Sequence, residues 1–99
     1  MIYHITSAAE ASAAQASGSY APPTFDADHF IHCSYEHQLR DVANRLFRGH
    51  TGLVLLEIDP SRLSCEVVDE NLEGGAELFP HVYGPLPMAA VVSIREFPA

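Results

Sequence analysis

The sequence predicts an α+β domain, and three observations carry that expectation. Helical patterning is confined to the first half of the chain, while strand patterning fills the second. The elements read in the order βαβαβββ, which lacks the regular alternation of a doubly wound fold. With 99 residues, 47% of them hydrophobic, residues 1–99 form one domain that can bury a core without disulfide or metal staples.

Each element has its own local reason. Ile2-Tyr3-His4-Ile5-Thr6 alternates as a strand, with Ile2, His4 and Thr6 on one face and Tyr3 and Ile5 on the other. Ser7-Ala8-Ala9-Glu10 reads as a capping box that opens an alanine-rich helix running to about Ser17, with Gly18 as its left-handed stop. So small-sided a helix either packs very close to a sheet or is weakly held. Ser19 to His29 is expected to be an irregular linker, because Pro22-Pro23 forbids helix and Asp26 and Asp28 favour turns. Tyr20 is its large anchor.

Residues 29–33 read as a short buried strand, and Ser34 as the cap of a helix over about 35–48. Leu39, Val42, Ala43, Leu46 and Phe47 mark the buried face of that helix, and Gly49 ends it. Thr51 to Ile58 is a nearly continuous apolar run, hence a central strand covered on both faces. Asp59-Pro60-Ser61-Arg62 is a turn. Ser64 to Asp69 reads as a strand antiparallel to the preceding one, Asn71 to Glu77 as a solvated loop, and Met88 to Glu96 as the last strand.

Composition excludes several classes of function. The chain carries 13 acidic residues against five arginines and no lysine, a formal charge of -8. That charge disfavours nucleic acid and anionic membrane surfaces as partners. No apolar run approaches the about 20 residues of a membrane span, and no signal-peptide pattern is visible. Cys33 and Cys65 form no CxxC motif and read as small buried hydrophobes in a reducing cytoplasm. Oligomeric state is not legible.

The chemistry-bearing signal lies in three histidines, each set in an apolar segment: His4 in the first strand, His32 in Phe30-Ile31-His32-Cys33-Ser34, and His81 in Phe79-Pro80-His81-Val82-Tyr83-Gly84-Pro85-Leu86. A buried imidazole must be hydrogen-bonded or cost about 1–3 kcal/mol. Three such segments point to a polar site built into a core. Ser34 adds a hydroxyl, and amides at the start of the following helix would suit an anion. His81 and Tyr83 share a face if their segment forms a rigid β-edge. A three-imidazole metal site is an alternative, although neither HxH nor HxxxH spacing is present. His29, His37 and His50 read as surface residues. No nucleophile elbow is present, and nothing marks Cys33 as activated.

Ile2-Tyr3-His4-Ile5, Gly18-Ser19-Tyr20, Phe30-Ile31-His32-Cys33-Ser34, Val42-Ala43-Asn44-Arg45-Leu46-Phe47 and Phe79-Pro80-His81-Val82-Tyr83-Gly84-Pro85-Leu86 together resemble the bacterial family called domain of unknown function 952. The resemblance covers essentially the whole chain. The family usually carries a tryptophan in the first helix, where this chain has Ala11 or Ser12; a pocket lined by that tryptophan would be wider or altered here. The family in turn resembles the ADP-ribosyltransferase fold, a split β-sheet with a nicotinamide dinucleotide cleft between its halves. The likeness is greatest to the RNA 2'-phosphotransferase branch.

The resemblance implies that His4 holds the adenine-side ribose of NAD and that His32 lies near the nicotinamide ribose. The third, often acidic, catalytic position of that fold and the arginines of the branch have no counterpart in this sequence. The resulting expectation is a cytoplasmic domain that binds a dinucleotide such as NAD and transfers ADP-ribose to a small molecule or protein. His4, His32 and His81 are its candidate catalytic residues. Tyr20, Ser34 and Tyr83, with His4 and His32, are its candidate cofactor-binding residues. The alternatives are a non-catalytic nucleotide-binding or regulatory module and a histidine-based metal-dependent enzyme.

Overall fold

Among the described residues, 1–71 and 77–97 of the computed structural model, the chain forms eight short strands and three helices in an α+β arrangement. Strand β1 (Ile2–Ser7) pairs antiparallel with β4 (Leu53–Ile58), and β4 pairs with β8 (Val91–Phe97), giving the order β1-β4-β8. A second three-stranded sheet has the order β3-β6-β5, from Ile31–His32, Phe79–Val82 and Val67–Glu70. A two-stranded ribbon joins β2 (Ser19–Tyr20) to β7 (Leu86–Pro87). All pairings are antiparallel.

The first helix, α1 (Ala8–Ser17), starts where the sequence places it. Ser7 Oγ accepts from the Glu10 amide at 3.1 Å. The Glu10 carboxylate, however, accepts from the Thr6 hydroxyl at 2.7 Å instead of from the Ser7 amide. Gly18, at φ +86°, ends the helix and donates its N–H to the Ala14 carbonyl, a conformation that is free only for glycine. Ala11 and Ala14 are buried in the core, so the small helix is one that packs close.

The apolar run in β4 is covered on both faces, as expected of a central strand. Leu56 and Ile58 enter a core with Ile2, Ala11, Ala14, Tyr20, Ile31 and Val82. Leu53 and Leu55 enter the other with Tyr3, Ile5, Leu39 and Val42, the last two from α3 (Leu39–Leu46).

Several expected elements differ. Ser34 does not cap the second long helix. It forms an antiparallel bridge to Tyr3, with both backbone bonds at 2.8 Å. Its amide is therefore spent. The helix opens one residue later, where the Tyr35 amide donates to Gln38 Oε1 at 2.9 Å. A 3-10 turn, Glu36–Gln38, then leads into α3. The predicted 29–33 strand shortens to Ile31–His32, because Phe25–Asp28 forms a short helix, α2, that His29 closes at φ +65°. The expected linker from Ser19 to His29 thus contains β2 and α2.

β5 does not pair with β4, since β1 and β8 already occupy both edges of β4. The chain turns at Asp59, whose Oδ1 accepts from the Ser61 amide and hydroxyl, and crosses to the second sheet. The Phe79 segment is not an edge but the central strand β6. The last strand starts at Val91, since Met88–Ala90 forms a 3-10 turn. The loop expected from Asn71 to Glu77 lies mostly outside the described residues. No helix among the described residues is long and apolar enough to cross a membrane.

Candidate functional site

A cleft of about 450 Å³ opens along β1 and brings together five of the six residues singled out in the sequence: His4, Tyr20, His32, Ser34 and His81. The strand order leaves β1 at the edge of its sheet. Tyr3 spends its backbone groups on Ser34. By the alternation of a strand, the N–H and C=O of Ile5 point to the same side, toward the cleft. Pro22–Thr24 also line it, as do Arg45, Phe47 and His50 from α3 and the turn after it. Tyr83 does not line the cleft; it stands behind His81.

The three histidines are held in three different ways. His4 is half-buried and has both ring nitrogens engaged. Its Nδ1 lies 2.6 Å from the His32 carbonyl oxygen and its Nε2 lies 2.7 Å from the Tyr20 hydroxyl. A carbonyl only accepts, so Nδ1 carries the hydrogen; in the neutral ring Nε2 accepts from Tyr20. Enclosure holds its pKa below the ordinary histidine value. Thr6 Oγ1, which donates to Glu10, stands 3.0 Å from Tyr20 Oη as a second acceptor for the same single hydroxyl hydrogen. The β2–β7 ribbon fixes Tyr20 in place, and burial pushes its pKa up to about 12. His4 is therefore a satisfied core histidine, and it presents its ring rather than a free nitrogen.

His32 is not buried. It is the last residue of β3, its side chain is 42% exposed, and its Nε2 meets Asp28 Oδ2 at 3.1 Å across one turn. The alternation that sends Ile31 and Cys33 into the core sends His32 outward.

His81 is the most buried of the three, at 3% exposed. Its Nδ1 lies 3.0 Å from Glu70 Oε1, and the Tyr83 hydroxyl donates to the same oxygen. These bonds hold the Glu70 carboxyl below its ordinary value, Tyr83 contributing more than His81. The Phe30 ring stacks on His81 with centroids 4.2 Å apart and planes 20° apart. The His32 ring meets it edge-on at 5.2 Å. Among the described residues His81 Nε2 takes no hydrogen bond, and no buried nitrogen or oxygen is left sealed without a partner. That nitrogen is therefore not sealed in, and His81 is one of the residues that line the cleft.

Sequence reasoning missed four residues here. Glu10, Arg45 and His50 line the cleft, and Glu70 backs His81. His50 lies just past Gly49, and only the folding of α3 against β1 brings it to the wall. Cys33 also lines the cleft, yet burial pushes its thiol pKa upward, so it is no ready nucleophile. Cys65 is only half-buried, and both thiols are free. Among the described residues no three His, Cys, Asp or Glu side chains stand together as a metal site.

A small α+β domain with a histidine-walled cleft beside an edge strand is thus what fold and site define. The chain belongs to the family described as "Protein of unknown function (DUF952)", whose profile matches residues 5–94. It is similar to the crystal structure of protein CC0527 from Caulobacter crescentus, with 38% identity and a TM-score of 0.85 over 96% of this chain and 83% of that one. The solution NMR structure of CC0527 gives 38% identity and a TM-score of 0.82 over 96% of this chain and 82% of that one. No curated protein matches.

Proposed function

We propose that the cleft binds a dinucleotide such as NAD and that its chemistry is transfer of ADP-ribose to a small molecule, a protein or water. The observation that carries this is the set of polar side chains on the wall. Among the described residues that line the cleft, Glu10 is the one carboxylate, beside His4, His32, His50, His81 and Arg45. Arg45 is the cation of that lining that a phosphate would meet. Its volume falls within the roughly 300–1,000 Å³ typical of small-molecule sites. The Ser34 hydroxyl, which has no side-chain hydrogen bond among the described residues, offers a donor for a phosphate or ribose. The Ile5 backbone pair offers the complementary donor and acceptor for an amide-bearing ring.

A second reading, a nucleotide-binding module without chemistry, is favoured by His4 alone, since both its nitrogens are spent inside the protein. Titration calorimetry with NAD and with ADP-ribose tests the shared element. Saturable heat that is weakened by Ser34→Ala and Arg45→Ala supports it; no heat at millimolar ligand would sink both readings. Nicotinamide release then separates them.

A further inference from the structure

We infer that His81 is the proton acceptor of the cleft and that Glu70 orients it; this rests on the nucleotide reading above. His4 and His81 make an internal comparison. A histidine that serves only packing is satisfied at both nitrogens, as His4 is. His81 is more deeply buried, yet it spends one nitrogen on a carboxylate and leaves the other unsealed in a residue that lines the cleft. A carboxylate oxygen only accepts, so Nδ1 carries the hydrogen. The lone pair of the neutral ring is then on Nε2.

The ring has little freedom. Phe30 stacks on its face, His32 meets its edge, and Glu70 holds Nδ1. Tyr83 in turn fixes the Glu70 oxygen that His81 uses. A buried imidazole with a fixed tautomer, a carboxylate behind it and its other nitrogen unsealed in the wall of a ligand cleft is the arrangement of a general base. Packing alone does not call for the carboxylate, nor for the tyrosine that braces it.

The step follows from that placement. A water in the cleft gives one proton to His81 Nε2 as its oxygen forms a bond to C1′ of the nicotinamide ribose. The C1′–N glycosidic bond breaks, and its electron pair goes to the nicotinamide nitrogen, which becomes neutral. ADP-ribose and nicotinamide leave, and the proton on His81 passes to solvent. An acceptor hydroxyl in place of water gives transfer instead of hydrolysis. Glu70 stays ionised throughout and stabilises the imidazolium. His81 is the catalytic residue of this step, while Glu70 and Tyr83 position it.

The test uses the full chain with NAD as the probe. Binding is read by calorimetry, nicotinamide release by chromatography, and the His81 tautomer by ¹⁵N NMR of the ring. The wild type is expected to bind NAD, to release nicotinamide and to show the Nδ1–H tautomer. His81→Gln is expected to lose at least about 100-fold in release, within the range of a general base, with NAD affinity changed less than threefold. Glu70→Gln, which can donate as well as accept, is expected to move the His81 ring toward mixed tautomers and to weaken release with NAD affinity changed less than threefold; a merely structural bond would move the tautomer and leave release unaltered.

Binding without nicotinamide release would overturn this step and leave the nucleotide reading standing. Failure to bind NAD would overturn both. An Nε2–H tautomer in the wild type would overturn the inference whatever the ligand result, and so covers the case in which His81→Gln does not fold.

Discussion

Replacing Tyr20 with phenylalanine tests the wall of the cleft at one atom. The ring, 3% exposed, keeps its packing beside Ile31 and Leu86. Only Oη is lost, and with it the contacts to His4 Nε2 at 2.7 Å and Thr6 Oγ1 at 3.0 Å. Thr6 retains Glu10 at 2.7 Å, so its loss is small. His4 Nε2 is left facing an apolar ring edge. An orphaned buried group costs about 1–3 kcal/mol, so the variant is expected to lose about 2 kcal/mol. For a domain of this size that corresponds to a fall in Tm of roughly 8–16 °C. Thermal denaturation followed by circular dichroism at about pH 7.5 keeps His4 neutral during the measurement. A fall of less than about 2 °C would refute the reasoning and mean that Tyr20 Oη does not satisfy His4.

Four further outcomes follow from the structure. The folded pKa of His4 is held below its unfolded value of 6.5, so the unfolded chain binds more protons just below that pH. Stability is therefore full above pH 6.5 and declines as pH falls below it; urea denaturation across that window checks the slope, and His4→Gln should flatten it. Glu70, whose folded pKa is also depressed, loses its contribution only lower, as pH falls from 4.5 through its folded value. Leu56→Ala, at a fully buried position of β4, should cost about 2–5 kcal/mol in the same assay. Gly84→Ala would place a Cβ 2.8 Å from Cys65 Cβ and 3.2 Å from its Sγ. About 1–3 kcal/mol of destabilisation is expected, with little recovered by Cys65→Ser, because Cβ is the closer atom.

Local features of the fold were legible because their causes are local. Ser7 and Gly18 bracket α1, the apolar period marks α3, and the run in β4 declares a strand buried on both faces. What failed were pairings between distant segments. Nothing near Ser64 shows that β4 already has two neighbours, and nothing near Ser34 shows that Tyr3 will claim its backbone.

The site divides the same way. His81 stood out because its segment is apolar and rigid. Glu70 did not, because its relation to His81 exists only across the β5–β6 ladder. Val68 pairs with His81, which makes Glu70 the diagonal neighbour on the same face. A register fixed by folding, and not a spacing in the chain, brings the carboxylate to the imidazole. The same logic demotes His4: its position in β1 was read correctly, but its second partner, Tyr20, comes from a segment read as irregular.

The central claim is that an anionic nucleotide ligand enters this cleft and no other part of the surface. Backbone amide shift mapping during titration with ADP-ribose tests it most directly. The account predicts saturable shifts concentrated at Ile5, Thr6, Ser34 and His81, with little change in β8, whose pairing with β4 keeps it away from the cleft. Shifts centred on β8 or the Asp59–Arg62 turn, or a spectrum unchanged at millimolar ADP-ribose, would contradict it.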